Sequence, residues 1–263
     1  MAVAVVQHDI AWENRAATLA ALGPVVAGAA RDGARLVVLS EMFSVGFSAD
    51  TAAIVEGPEG PSTTFLVDHA ASLGVWVVGS VCIADGEAEL PRNVAVLAGP
   101  DGSVHRYPKR HLFSYAGEDQ RIGPGFQTLT VDIDGVRTSV FVCYDLRFAD
   151  DFWQLAEATD AYVVVANWPA ARTSHWRALL VARAIENQAW VLGANRVGAG
   201  GNIDYEGDSL VVDPLGEVVA DGHGLGEAVL TATVDTARVA EVRARYPFLA
   251  DRVVPVPSMP DDD

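Results

Sequence analysis

Three apolar, β-branched runs in this chain each stop abruptly at a polar residue, and few architectures accommodate that pattern. Ser139-Val140-Phe141-Val142 stops at Cys143, Leu36-Val37-Val38-Leu39-Ser40 at Glu41, and Tyr162-Val163-Val164-Val165-Ala166 at Asn167. Runs this short and this apolar read as strands buried on both faces. Ligands and chemistry in layered α/β proteins gather at the carboxyl ends of such strands, so the pattern predicts a thiol, a carboxylate and an amide delivered to one place. A lone cysteine after a strand is more often a core thiol than a nucleophile. The case for Cys143 therefore rests on its companions.

Half of the 263 residues are apolar, enough for one large core that buries about three quarters of the unfolded surface. A single domain over 1–263 is expected, with a C-terminal tail from about residue 246. The formal charge of −17 disfavours nucleic acid and anionic membranes as partners, because both attract clustered Lys and Arg. An anionic small molecule must instead meet a local basic pocket. The N-terminal Met1-Ala2-Val3-Ala4-Val5-Val6 has no basic n-region or cleavage site of a secretory signal, and no apolar run approaches the length of a membrane span. A cytoplasmic protein is expected. Its core has no need of a disulfide between Cys82 and Cys143, the two cysteines of the chain.

In chain order, Ala2 to Val6 reads as a strand and Trp12 to Arg31 as a helix closed by Gly33. A helix from Pro61 to Leu73, ended by Gly74, precedes a strand from Val75 to Ile83. Cys82 lies inside that strand with no basic neighbour to lower its pKa, and is read as core. Asn93 to Leu97 and Ser103 to Tyr107 form a hairpin about Gly99-Pro100-Asp101-Gly102. A second hairpin, Leu129 to Val142, turns at Asp134-Gly135. A helix from Phe148 to Ala158 is expected to bury Trp153 and Leu155. Another helix, capped by Ser174 and running to Gln188, should face Leu179, Leu180, Ala182 and Ile185 to the core, with Arg183 and Glu186 paired. Trp190 to Ala194 is a strand, Gly198-Ala199-Gly200-Gly201 a flexible segment, and Ser209–Val212 with Glu217–Ala220 a last hairpin. The strand Ala228 to Val234 and the helix Thr236 to Arg245 close the chain. Alternating strands and helices in each half, with antiparallel strands between, give an α/β fold of two mixed sheets covered by helices in four layers.

Several motifs are absent. Gly222-His223-Gly224-Leu225-Gly226 lacks the spacing of a phosphate-binding loop, no zinc-like Cys/His spacing occurs, and Gly207-Asp208-Ser209 is not followed by the glycine of a serine elbow. A basic triplet, Lys109-Arg110-His111, is restrained between Pro108 and Leu112-Phe113. A restrained lysine can serve as a fixed cation or donor, and His111 as an imidazole base would make a cysteine-histidine hydrolase.

The chain resembles the carbon-nitrogen hydrolases of the nitrilase superfamily. Glu41 in Leu39-Ser40-Glu41-Met42-Phe43, Lys109 in Tyr107-Pro108-Lys109-Arg110-His111-Leu112-Phe113, and Cys143 in Cys143-Tyr144-Asp145-Leu146-Arg147-Phe148 match its Glu-Lys-Cys motifs in order and context. The likeness extends through Asn167-Trp168-Pro169, His175-Trp176, Ala182 to Gln188, Asn195-Arg196-Val197-Gly198 and Gly207-Asp208-Ser209. Within the superfamily the chain looks most like the omega-amidases, which remove the terminal amide from 2-oxoglutaramate and 2-oxosuccinamate. The resemblance implies an αββα sandwich that associates as at least a dimer, with no cofactor and no metal. It also places a second glutamate at Glu118, where it would orient Lys109 and the substrate. Other activities of the superfamily, as a nitrilase, another amidase or an acyltransferase, stay open, as does a non-catalytic oligomeric binding protein.

The three residue types suit that chemistry, since an amide is a poor electrophile and a neutral thiol a poor nucleophile. Glu41 is expected as general base to Cys143, with Lys109 and the Tyr144 backbone N–H on the oxyanion. Arg172, on the loop after Asn167-Trp168-Pro169, is the candidate cation for a substrate carboxylate, with Trp168 and Asn167 beside it. Arg147 is read as equally suited to a structural ion pair with a carboxylate.

Overall fold

The computed structural model describes residues 1–86 and 88–253. Strand β1 (Ala2–Gln7) leads into α1 (Arg15–Arg31), β2 (Leu36–Val38), the short α2 (Thr51–Ile54) and α3 (Pro61–Leu73). The meander β3 (Trp76–Ile83), β4 (Arg92–Ala98) and β5 (Val104–Pro108) completes the first half. The second half contains β6 (Thr130–Ile133), β7 (Val136–Val142), α4 (Ala149–Leu155), β8 (Ala161–Ala166), α5 (Thr173–Asn187) and β9 (Trp190–Asn195). The chain continues through β10 (Val197–Gly200), β11 (Ile203–Glu206), β12 (Leu210–Val212), β13 (Val218–Asp221), β14 (Ala228–Thr233) and α6 (Thr236–Arg245).

Two six-stranded sheets result, ordered β14-β1-β2-β3-β4-β5 and β13-β12-β9-β8-β7-β6, with β10 and β11 forming a separate hairpin. Each sheet has a parallel trio, β1-β2-β3 or β7-β8-β9, flanked by antiparallel strands. The period of two in the strands builds the layers. Val3, Val5, Leu36, Val38 and Val78 face the second sheet in a core shared with Val140, Val142, Val163 and Leu192. Their alternates Ala4, Val6, Val37 and Val77 face Leu22, Val26, Phe65 and Leu66 of α1 and α3. The outer face of the second sheet is covered from α4 and α5, by Phe152, Trp176, Leu180 and Ala184. These are the four αββα layers expected.

Several element boundaries differ from the sequence reading for local reasons. Helix α1 starts at Arg15, capped by Asn14 accepting from the Ala17 N–H. Trp12 lies outside it and covers β10, so closely that a Cβ on Gly200 would sit 2.0 Å from the indole. The segment Gly198 to Gly201 is thus hairpin backbone under a tryptophan and not a flexible loop. Ser174 caps nothing, since α5 begins at Thr173 with no side-chain cap. The buried face of α5 is Trp176, Leu180, Arg183, Ala184 and Asn187; Ile185 is 47% exposed and Leu179 and Ala182 are half-buried. The expected face was rotated because two buried positions are polar and were not counted as core. The same happens in α4, where Phe152 is fully buried while Trp153 and Leu155 are half-buried. Arg183 does pair with Glu186, at 2.8 Å. The tail expected from about residue 246 includes a 3₁₀ turn, Phe248–Asp251, that buries Leu249; residues 254–263 lie outside the described residues. Among the described residues no helix is long and apolar enough to cross a membrane.

Helix α5 lies close on β9. A Cβ on Gly193 would meet Leu180 Cδ1 at 2.5 Å and Trp176 Cζ2 at 2.9 Å. Gly193→Ala should therefore destabilise the protein by about 1–3 kcal/mol, the usual cost of overpacking, read as a lower urea midpoint. A midpoint equal to wild type would show that α5 is free to shift.

Candidate active site

The three strand ends of the sequence pattern converge, and a fourth, at Lys109, joins them. Glu41 follows β2, Lys109 follows β5, Cys143 follows β7 and Asn167 follows β8. They line one cavity of about 390 Å³ with Phe47, Phe113, Tyr144, Arg147, Trp168, Arg172 and Tyr205, a volume suited to a small molecule.

Lys109 is 1% exposed, and its Nζ donates to Glu41 Oε1 at 3.0 Å and to both oxygens of Glu118 at 3.0 Å. Burial alone would lower the pKa of this ammonium. The Glu118 and Glu41 carboxylates outweigh burial and hold it above the ordinary lysine value. Both carboxylates are further satisfied. Glu41 accepts from Asn93 Nδ2 at 2.8 Å and from the Asn167 backbone N–H at 2.9 Å, and Glu118 from the Phe113 N–H at 2.6 Å. Asn167 also donates through Nδ2 to the Glu41 carbonyl. It clamps Glu41 from the opposite sheet, while its own place in the cavity wall is retained.

Cys143 is half-buried and has φ +45°, a left-handed conformation that costs a non-glycine residue free energy and persists only when surroundings enforce it. It opens a 3₁₀ turn, Cys143–Arg147. Asp145, fully buried, braces that turn by accepting from the Val142 N–H at 3.0 Å, the His111 N–H at 2.9 Å and the Tyr107 hydroxyl at 3.0 Å. Burial pushes the Asp145 carboxyl up to about 6, against those hydrogen bonds and Lys109. From the other side Arg183 donates to the Leu146 carbonyl at 2.6 and 3.1 Å. The Cys143 thiol itself is pushed well up by burial and by Glu41, with Lys109 opposing. It therefore rests as a neutral thiol beside a carboxylate. Cys82, fully buried in apolar surroundings, is pushed up to about 12, mainly by burial, and both cysteines are free.

His111 is not part of the cavity wall. Its Nε2 lies 2.7 Å from Asp151 Oδ2 and its ring stacks on Phe148 at 3.6 Å. Arg147 makes no ion pair among the described residues, contrary to the structural pairing considered for it. Its guanidinium lies 4.8 Å over the Trp168 ring and its Nη2 is 3.2 Å from His175 Nδ1. Arg172, also without a carboxylate partner among the described residues, lies 5.2 Å over the Phe113 ring. Trp168 is held flat by its own N–H to Asn195 Oδ1 at 2.7 Å and its Nε1 to the Arg172 carbonyl at 2.8 Å. Among the described residues no group of three or more His, Cys, Asp or Glu is placed to hold a metal.

Residues 2–244 match the family model of the carbon-nitrogen hydrolases, and the chain belongs to that family. Particular relatives narrow the likeness. The omega-amidase YafV of Escherichia coli (strain K12) is 36% identical over 250 residues, 95% of each chain. The 2-oxoglutaramate amidase of Bacillus subtilis is 32% identical, covering 83% of this chain and 85% of that protein. The solved structure of XC1258 from Xanthomonas campestris, a CN-hydrolase superfamily protein with an arsenic adduct in its active site, superposes with a TM-score of 0.91 at 35% identity, covering 97% and 98% of the two chains. Nit3 of Saccharomyces cerevisiae, of the nitrilase superfamily, superposes at 0.86 with 26% identity and 94% coverage of each.

Removing Lys109 would leave two buried carboxylates facing each other without a cation, a loss of about 3–5 kcal/mol. Lys109→Ala should accordingly lose both activity and that much stability in urea unfolding, whereas His111→Ala should keep most of its activity. A nearly wild-type Lys109→Ala beside an inactive His111→Ala would restore the cysteine-histidine reading.

Proposed function

We propose that the protein is an omega-amidase, hydrolysing the terminal amide of a small 2-oxo dicarboxylic acid monoamide through a thioester on Cys143. The observation that carries this reading is one cavity that holds the Cys143 thiol and Glu41, whose carboxylate shares the Lys109 ammonium with Glu118. The names of its relatives supply the substrate class.

Glu41 takes the Cys143 proton as sulfur attacks the amide carbon, so that free thiolate need not accumulate. The carbonyl oxygen becomes an oxyanion stabilised by Lys109 and by the Tyr144 backbone N–H, since the first N–H groups of a helical turn have no partner within it. Glu41 returns its proton to the departing nitrogen, the C–N bond breaks, and ammonia leaves behind a thioester. Water then enters, Glu41 accepts its proton, and collapse of the second tetrahedral species releases the acid and regenerates the thiol. Glu118 keeps Lys109 protonated and aimed throughout. Nitrile hydrolysis is a second reading, favoured by one relative, the nitrilase of Pyrococcus abyssi, 33% identical over 82% of each chain.

For a protein with a formal charge of −17 the pocket must supply local cations to an anionic substrate. Lys109 is committed to the two glutamates, which leaves Arg172 and Arg147 in the cavity wall. Arg172 is assigned to the substrate carboxylate, because a guanidinium can grip both oxygens.

Ammonia release from 2-oxoglutaramate by the purified protein is the direct test, compared with a panel of nitriles. Cys143→Ala should abolish it and Cys82→Ala should not; rapid-quench mass spectrometry should find the acyl adduct on the Cys143 peptide. Turnover by Cys143→Ala without such an adduct would refute the thioester route. Arg172→Ala should raise KM for 2-oxoglutaramate about tenfold or more, the size of one charged hydrogen bond. A KM equal to wild type would remove Arg172 from the carboxylate site.

A further inference from the structure

The β10–β11 hairpin belongs to neither sheet, yet it supplies one wall of the cavity through Asn202, Ile203, Asp204 and Tyr205. Tyr205 is the residue of this wall that is held most firmly. It is 4% exposed, and the Arg196 guanidinium lies 4.6 Å from its ring centre. Arg196 is itself fully buried. It donates to Asp9 Oδ1 at 2.7 Å and to the carbonyls of Val197 and Ala199 at 3.0 and 3.1 Å. Asp9 reaches it past Gly198, the register partner of Tyr205, where a Cβ would stand 2.2 Å from Asp9 Oδ1. The Asn195-Arg196-Val197-Gly198 motif thus builds a fixed seat for one phenol.

The hydroxyl of that phenol is unspent. It has no hydrogen-bond partner among the described residues and is not fully sealed from solvent, and Tyr205 lines the cavity. Besides burial, the groups that act on it are Arg196, Glu41, Cys143 and Arg172. The thiol, the carboxylate of Glu41 and the cation assigned to the substrate carboxylate all line the same cavity as Tyr205. Strand β11 also packs against the Ala170–Arg172 turn. Burial, with Glu41 and Cys143, pushes the phenol up to about 12 against Arg196. Tyr205 therefore keeps its proton at neutral pH and can donate it.

We infer that Tyr205 determines specificity by donating a hydrogen bond to an acceptor oxygen on the carbon next to the substrate's carboxylate. This rests on the omega-amide reading and gives the 2-oxo group a partner in the protein. An oriented buried donor discriminates strongly against a substrate that lacks the acceptor, because the donor is then left unpaired.

The test is the kcat/KM ratio for 2-oxoglutaramate over glutaramate, which has the same carbon skeleton, carboxylate and amide but no 2-oxo group. Tyr205→Phe keeps the ring on Arg196 and removes only the hydroxyl. The ratio should fall about five- to tenfold in Tyr205→Phe, the size of one neutral hydrogen bond. A ratio equal to wild type overturns the assignment, including the case in which both substrates slow equally, because a structural role or a contact to the oxyanion or carboxylate would affect both alike. Wild-type protein that releases ammonia from neither substrate overturns the omega-amide reading and this inference together. Wild-type activity on both, with an unchanged ratio in Tyr205→Phe, overturns this inference alone.

Discussion

One ammonium held between two buried carboxylates sets the terms for everything around it. Lys109, Glu41 and Glu118 carry a net charge of −1 in a place each of them leaves only 1% exposed, and desolvating three charges is repaid only when geometry and further hydrogen bonds are nearly complete. The surrounding structure provides them through Asn93, the Asn167 N–H and the Phe113 N–H. The surplus negative charge has a chemical use. It makes a second anion at Cys143 unfavourable, and with burial it holds the thiol well above its ordinary pKa. The same arrangement commits Lys109 to its two glutamates, while the guanidiniums of Arg147 and Arg172 line the cavity without a carboxylate partner among the described residues.

The conformation of Cys143 has a comparable cause. A cysteine at φ +45° is maintained by contacts to its turn from two distant parts of the chain. Asp145 ties the turn to the Tyr107 hydroxyl of β5 and to the backbone at His111, and Arg183 ties it to α5 through the Leu146 carbonyl. These polar residues occupy positions that an apolar core would otherwise fill, which is why the inner face of α5 contains a buried arginine.

Much of this arrangement was legible in the sequence because it depends on chain-local signals. The strand ends at Glu41, Cys143 and Asn167 are visible as apolar runs that stop, and α3 and α6 have the bounds their Pro61 and Gly74, or Thr236 and Arg245, indicate. The motif resemblance located Lys109 and Glu118. What stayed hidden depends on residues distant in the chain. Asn93 looked like one polar residue in an apolar strand, and nothing local shows that it reaches across to Glu41. Trp12 was read into a helix because its partner, the glycine backbone of β10, lies almost two hundred residues away. Tyr205 and the hairpin that carries it are hidden because Gly198 to Gly201 reads as a flexible segment, with no apolar run beside it to mark a strand. The face of α5 was misread because apolar periodicity cannot count a buried Arg183.

The site is also divided between the two sheets. Glu41 and Lys109 stand on the first, Cys143 and Asn167 on the second, and they meet across the shared core of valines and leucines. Glu41 and Cys143 are thus mounted on separate plates whose spacing is set by the side chains packed between them. Because a close-packed interior transmits strain, repacking far from the cavity changes how the two side chains stand to each other. Their separation is a gauge of how tightly the sandwich is closed.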